Sequence, residues 1–207
     1  IVFGPNAALN VGGSVSFTTA DYLRLTDGAR FNAIAGPQDA AISSAPVAAF
    51  GFLGSNPAAI AVQGSQIAVA GGRGISLWGG NLTVQEGTLA DTTIQPARLS
   101  APGGPINLIA VASAGEVLTN AAAAPADPTL NGFTSLGTIS LTQGADVHTS
   151  AHTAGRIVIR SGQFTMENAR LEASATATAP TSPPSASATG GISVQADNVA
   201  LSHSSNV

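Results

Sequence analysis

Histidines are the first side chains to test for chemistry, because imidazole binds metals and transfers protons near neutral pH. His148 and His152 are four residues apart, a spacing that on a helix would direct both rings to one metal ion. On a β-strand the same spacing separates two side chains by about 13 Å. With no cysteine in the chain and no third histidine nearby, we expect solvated turn histidines and no metal site. An exposed histidine stack that includes His203 is the weaker alternative.

Carboxylates are the next candidates, because glycoside hydrolases use two of them about 5 to 9.5 Å apart. The acidic residues of this chain are dispersed along the sequence. Asp146 and Glu167 are the pair that adjacent turns of the chain could bring together, with Arg156 or Arg170 nearby. We expect surface ion pairs at these positions and no catalytic pair.

Other site types are weakly supported. Ser14 and Ser16 lack a Gly-x-Ser-x-Gly elbow, and residues 71–74 (Gly-Gly-Arg-Gly) lack the lysine of a phosphate-binding loop. We interpret that glycine run as a corner of the fold. Trp78, the single tryptophan, is expected to pack in the core or at an edge. A glycan-binding groove near Trp78 or Tyr22 remains an alternative. The sequence therefore predicts no enzyme activity and no cofactor.

Composition excludes further classes of function. Of the 207 residues 44% are hydrophobic but only 9% are charged, the net charge is −4, and all seven basic residues are arginine. These few, scattered arginines do not form the basic surface that binding of nucleic acid requires. The apolar runs are far shorter than the roughly 18 residues of a membrane span. The absence of cysteine means that packing and backbone hydrogen bonds alone stabilise the fold.

Short alternating segments recur along the chain and indicate half-buried β-strands of three to five residues. A glycine, one further residue and then Ile-x-(Leu, Ile or Val) start such strands at Ile139 and Ile157, and the motif returns at Ile192 with the glycine displaced by one residue. Ile139 and Ile157 are 18 residues apart, and the next interval is also near 18 if the segment 173–189 is an insertion, so we expect the three isoleucines to align along the stack. A repeat of this length with Gly and Asn turns is typical of a β-solenoid, whose coils satisfy each other's backbone groups. A β-sandwich is less favoured, because Asp27-Gly28 and Asn131-Gly132 are the only hairpin-type turns.

Three segments lie outside this pattern and are expected to be loops or small side sheets. They are 36–54, 119–134 and 173–189, all rich in Pro, Ala, Ser or Gly. In the first, Phe50, Phe52 and Leu53 should pack back onto the flank of the coil, whereas the third should be flexible. We expect a single domain over 1–207 that forms part of a longer exoprotein.

Several ordered motifs resemble those of the filamentous haemagglutinin secretion domain, which is exported by two-partner secretion. These motifs are Ile1-Val2-Phe3-Gly4-Pro5-Asn6-Ala7, Leu9-Asn10-Val11-Gly12-Gly13-Ser14, Phe52-Leu53-Gly54-Ser55-Asn56-Pro57-Ala58-Ala59-Ile60, Trp78-Gly79-Gly80-Asn81-Leu82 and Leu99-Ser100-Ala101-Pro102-Gly103-Gly104-Pro105-Ile106-Asn107-Leu108. The resemblance implies an all-β, right-handed parallel β-helix at the amino end of an exoprotein. It also implies that the domain engages an outer-membrane barrel transporter and folds as it emerges.

The function implied by this resemblance is that of a secreted, non-enzymatic surface protein in adhesion or in an extracellular filament. Its expected location is outside the cell or on the outer surface of a Gram-negative-type bacterium. Its expected partners are the transporter, further copies of itself, and a glycan or protein on a host or other surface. Phe3, Gly4, Pro5 and Asn6 match the family motif and are the candidate transporter-recognition residues. The family's Asn-Pro-Asn motif is not in this sequence, and Thr93-Ile94-Gln95-Pro96 interrupts a stretch that is tighter in relatives. A carbohydrate-active β-helix enzyme or a glycan-binding module is the alternative.

Overall fold

The computed structural model describes residues 1–36, 43–119, 127–176, 190–203 and 205–207, and in these ranges it contains strands but no helix. This agrees with the frequent glycines and prolines, which interrupt every helical pattern. Most strands pair in parallel, so the predicted all-β, solenoid-like stacking is confirmed. Within these ranges no helix is long and apolar enough to cross a membrane.

Successive turns of the chain each place one strand on each of three faces. The strands of the first face are β1 (Val2–Phe3), β7 (Ile60–Gln63), β10 (Leu82–Gln85) and β17 (Thr138–Thr142). The strands of the second face are β2 (Ala8–Val11), β8 (Gln66–Val69), β13 (Arg98–Ser100), β18 (Asp146–His148) and β20 (Arg170–Glu172). The strands of the third face are β3 (Val15–Thr18), β9 (Ile75–Gly79) and β14 (Ile106–Ala110). Each strand pairs in parallel with the equivalent strand of the next turn.

Two long strands, β19 (Arg156–Glu167) and β21 (Gly191–Ser202), each run from the third face into the first. The amino half of β19 pairs with β14, its carboxyl half pairs with β17, and β21 follows it along almost its whole length. The prediction of strands of only three to five residues is wrong here. The corner that separates these faces in earlier turns is replaced by continuous extended backbone.

The expected alignment of Ile139, Ile157 and Ile192 is only partly correct. Ile157 pairs in register with Ile192, on the third face. Ile139 instead pairs with Phe164, on the first face. The predicted 18-residue interval from Ile139 to Ile157 therefore joins two faces of one turn and is not the repeat of the stack.

The main core lies inside the three faces, where inward side chains form apolar ladders. One ladder on each face is fully or almost fully buried, and these ladders are Ile60–Leu82–Ile139–Phe164, Ile67–Leu99–Val147–Leu171 and Ile75–Ile106–Ile157. Burial of each such side chain stabilises the folded state by about 1.5 to 3 kcal/mol relative to leaving the side chain exposed. The apolar residues of alternating segments therefore hold the stack together.

An antiparallel side sheet covers the outer surface of the third face. Its strand order is β16 (Thr129–Asn131), β15 (Gly115–Leu118), β6 (Val47–Phe52), β4 (Tyr22–Leu25), β5 (Arg30–Asn32). The predicted side-sheet segments 36–54 and 119–134 thus both contribute strands to one sheet, although this sheet already begins at Tyr22. Asp27-Gly28 forms the β4–β5 turn, with Gly28 at φ 88°.

A second apolar cluster joins this side sheet to the stack. It contains Phe52, Trp78, Ile109, Val111 and Val117, and the Phe50 ring meets Trp78 edge-on at 4.4 Å. Phe50 and Phe52 therefore pack on the coil flank as expected. The same expectation is wrong for Leu53, which is 65% exposed.

Corners before the third face bring the backbones of neighbouring turns into very close contact. A Cβ built on Gly104 would lie 1.9 Å from the Arg73 carbonyl oxygen, and one built on Gly155 would lie 1.9 Å from the Gly104 carbonyl oxygen. Glycine is required at these two positions by close approach and not by a positive φ. The corner at 71–74, with Gly72 at φ 74°, confirms the structural interpretation of that glycine run.

Two further segments complete the chain. A short hairpin of β11 (Gly87–Thr88) and β12 (Ile94–Gln95) leaves the stack between β10 and β13. The predicted flexible insertion at 173–189 falls mostly outside the described residues. Its described start returns to the stack through a parallel bridge between Ala175 and Ala151.

Candidate recognition site

The segment Phe3–Asn6 forms the corner between β1 and β2 in the first turn of the stack. The Ala7 amide donates to the Gly4 carbonyl at 2.8 Å, which closes a four-residue turn. Pro5 occupies its second position, where a proline ring presets the required φ, and Asn6 its third. The sequence Gly-Pro-Asn therefore favours one compact turn.

Contacts from two later turns of the chain hold this corner in place. Ser65 Oγ donates to the Gly4 carbonyl at 2.8 Å. Gln95 Nε2 donates to the Pro5 carbonyl at 2.8 Å and also to the Gly64 carbonyl. The Phe3 ring packs edge-on against Phe17, with 4.8 Å between ring centroids. The backbone carbonyls of Gly4 and Pro5, the first two residues of the turn, are thus satisfied internally.

Gln95 belongs to the β11–β12 hairpin, which is itself well ordered by local bonds. The Leu89 amide donates to the Thr93 carbonyl at 2.8 Å, and the Thr93 amide donates to Asp91 Oδ1 at 3.0 Å. These bonds from Thr93 lower the pKa of Asp91. Sequence reasoning noted residues 90–98 only as a departure from relatives and missed the role of Gln95. The sequence feature that could have indicated this role was the segment Thr93–Pro96, which interrupts a stretch that is tighter in relatives.

The outer surface of this corner combines one polar and several apolar groups. Asn6 is exposed, and Val2 and Ile94 are 69% and 56% exposed. An exposed amide side chain with exposed apolar neighbours suits recognition of another polypeptide.

The structure separates the three histidines. His148 lies in β18 and is 21% exposed, beside Asp146 and Ser100, so the prediction of a solvated turn residue is wrong for it. His152 is exposed in the bend that follows. His203 contacts Glu167 at 3.3 Å, and the residue that pairs with His148 on the next turn is Glu172. The alternative of a histidine stack is therefore wrong.

The suggested carboxylate pair is not assembled. Asp146 lies between Arg98 and Arg170 in the register of the second face, and Arg98 Nε donates to its Oδ2 at 3.0 Å. Glu167 ends β19 opposite Thr142. Among the described residues no group of three His, Cys, Asp or Glu is placed to hold a metal ion.

Trp78 and Tyr22 are both buried, as expected for Trp78, and this contradicts a glycan groove formed by either ring. Tyr22 Oη donates to Glu116 at 2.8 Å, and Arg24 binds both oxygens of the same carboxylate. The hydrogen bonds from Arg24 lower the pKa of Glu116, and burial raises the pKa of Tyr22. This polar group ties β4 to β15 across the side sheet.

Comparison with known proteins gives one match. The family model of the TPS secretion domain matches residues 1–166, and such a domain implies a protein secreted by Gram-negative bacteria with an outer-membrane transporter as its export partner. Neither the curated proteins nor the solved structures contained a match. Because the family match covers well over half of the 207 residues, the chain belongs to the TPS secretion domain family of two-partner secretion proteins.

Proposed function

We propose that this domain initiates export of an exoprotein by presenting the Phe3–Asn6 corner to the periplasmic part of its transporter. The observation that supports this assignment is the rigid support of the corner by Ser65 and Gln95. A preformed turn loses less conformational entropy on binding than a flexible segment. Asn6 is the polar side chain of the motif that is left free to contact the partner.

Secretion measurements with matched asparagine variants test this proposal. Asn6→Ala should lower transporter affinity about tenfold, as expected for a central contact residue, and should reduce the secreted amount. Asn198→Ala, at an exposed position of β21 at the opposite end of the stack, is the control. Equal secretion of both variants, with equal thermal stability of the purified proteins, would refute the role of Asn6.

The proposed final fold is a complete right-handed parallel β-helix that forms as the chain emerges. Strand-to-strand crossovers between parallel neighbours are overwhelmingly right-handed, and the three-faced stacking of strands is consistent with that path. An experimental structure of the secreted protein with left-handed or antiparallel connections between the three faces would disprove this assignment.

The proposed role outside the cell is a non-enzymatic one, in adhesion or in a filament. Its support is β21, whose outer edge is unpaired among the described residues and where Val194, Val199 and Leu201 are 39%, 54% and 55% exposed, so that a later turn of the exoprotein or another copy can pair with it. Apolar residues on an open strand edge favour association with further strands, and a net charge of −4 repels copies only weakly. The expected adhesion target is a surface glycan or protein.

Sedimentation and electron microscopy test the filament role. Wild-type protein should form concentration-dependent oligomers, and Val199→Lys with Leu201→Lys should abolish them, because lysine on an edge strand opposes pairing. Leu53→Lys, at an exposed apolar position elsewhere, is the control. Monodisperse wild-type protein at high concentration would exclude self-association through this edge.

A further inference from the structure

The dipeptide Asn131-Gly132 has the sequence of a hairpin turn, but the structure does not use it as one. Asn131 is the last residue of β16, and Gly132 follows it with φ 81°. The antiparallel pairing continues beyond this point, because Leu136 forms an antiparallel bridge with Val111. The only Asn-Gly pair of the sequence therefore lies at a break in an edge strand and has no role as a hairpin tip.

The side chain of Asn131 and the amide of Gly132 are both free of protein partners. Asn131 is exposed, and its side chain forms no hydrogen bond within the described chain. The Gly132 amide donates to no acceptor there. In contrast, the amide that follows Asn6 donates to the Gly4 carbonyl at 2.8 Å. The nitrogen that follows Asn131 is therefore available as a nucleophile toward the neighbouring side chain, whereas the one that follows Asn6 is not.

Glycine at position 132 leaves this nitrogen unshielded. It has no side chain beside the nitrogen, and its backbone rotates more freely than that of any other residue. Asn131 ends a strand of only three residues at the edge of the side sheet, where local opening costs the least free energy. The Gly132 nitrogen can therefore reach the side-chain carbon of Asn131 without unfolding of the stack.

We propose that Asn131 is a self-modification site that deamidates spontaneously. The Gly132 nitrogen loses its proton to water and bonds to Asn131 Cγ, and the side-chain nitrogen leaves as ammonia, which closes a succinimide ring. Water then adds to either ring carbonyl, the bond from that carbonyl to the ring nitrogen breaks, and the nitrogen regains a proton. Opening on one side gives aspartate, and opening on the other gives isoaspartate, in which the backbone runs through Cβ. Water is the only co-reactant.

The carboxylate of the aspartate product lies directly opposite another carboxylate. Asn131 pairs with Glu116 in the antiparallel register, and the Cβ atoms of such a pair are about 4.5 to 5.5 Å apart on one face of the sheet. The cations on this face are already engaged, since Arg24 binds Glu116 and Arg30 stacks on the Tyr22 ring. Like charges directly opposite each other destabilise a strand pair, so deamidation weakens the pairing of β15 with β16.

The test follows the intact purified protein during ageing in mildly alkaline buffer, by peptide mass spectrometry. Asn131 should gain the mass that corresponds to replacement of NH2 by OH, with release of ammonia, and fragmentation should identify both aspartate and isoaspartate. Asn198 is the internal control, because it is exposed on β21 but is followed by the β-branched Val199, and it should remain asparagine. Asn131→Gln should show no conversion at this position, because its longer side chain would have to close a larger ring.

Urea unfolding of two variants with the same added charge tests the effect on the side sheet. Asn131→Asp should unfold at a lower urea concentration than the wild-type protein. Asn10→Asp, at an exposed position opposite Ala68, should unfold with the wild-type protein. Unmodified Asn131 after ageing, or equal conversion of Asn198, would overturn the self-modification. Equal unfolding midpoints of the two aspartate variants would overturn the weakening of the β15–β16 pair.

Discussion

Substitution of Gly155 by alanine tests the stacking of successive turns. A Cβ at this position would lie 1.9 Å from the Gly104 carbonyl oxygen, whereas real Cβ contacts are not shorter than 3.0 Å. The obstacle is backbone, so no side-chain rotation relieves it, and the two turns must separate by roughly 1 Å in a stack whose strand spacing is about 4.8 Å.

The expected loss of stability follows from this displacement. Overpacking of this kind costs about 1 to 3 kcal/mol, with backbone contacts near the upper limit. The reduced freedom of the unfolded chain offsets about 0.4 to 1 kcal/mol of it. We therefore expect a net loss of about 2 kcal/mol, which for a domain of this size lowers the melting temperature by roughly 4 to 8 °C.

Gly13 provides a matched control for this substitution. It precedes Val15 by two residues, as Gly155 precedes Ile157, and it occupies the same corner in the first turn of the stack. A Cβ on Gly13 meets nothing within 4 Å. Gly13→Ala should be neutral or slightly stabilising in urea unfolding followed by circular dichroism. Equal unfolding midpoints for the two variants would refute the close stacking of these corners.

Three further measurements follow from the packing and the charges. Glu116→Gln should cost about 1.5 to 3 kcal/mol of stability at pH 7, measured by urea unfolding, because hydrogen bonds to a charged group are lost. Since the pKa of Glu116 is lowered in the folded state, its contribution should be present above its unfolded pKa and disappear on acidification, and wild-type stability should fall more steeply below pH 5 than that of Glu116→Gln. Leu108→Ala should cost about 2 to 5 kcal/mol, against a negligible change for the exposed Leu53→Ala in the same assay.

Much of the strand content was predictable because local alternation determines which side chains face the core. The segments beginning at Ile60, Ile75, Leu82 and Ile106 all form strands of the stack. The register was not predictable, because the three faces use similar small apolar residues. Gly-x-Ile motifs at different faces therefore look like successive repeats, as Ile139 and Ile157 did.

The contacts of the candidate sites were less accessible from the sequence, because they depend on that register. Gln95 bonds to the carbonyl of Pro5, 90 residues earlier, and no local pattern indicates such a partner. Ser100 and His148 meet only because β13 and β18 are adjacent. The alternation of Asp146 and His148 on one side of a strand was visible, but without the neighbouring strand it indicated only surface residues.

The shared side sheet makes two distant insertions depend on each other during folding. β6 pairs with β4 on one side and with β15 on the other, so its second edge remains open until the chain as far as Leu118 is available. If the chain folds during export as we propose, Phe50 therefore covers Trp78 before Val117 completes the cluster around it. The fluorescence of this single tryptophan should then change in two steps. The first step reports contact with Phe50, and the second reports the pairing of β15 with β6.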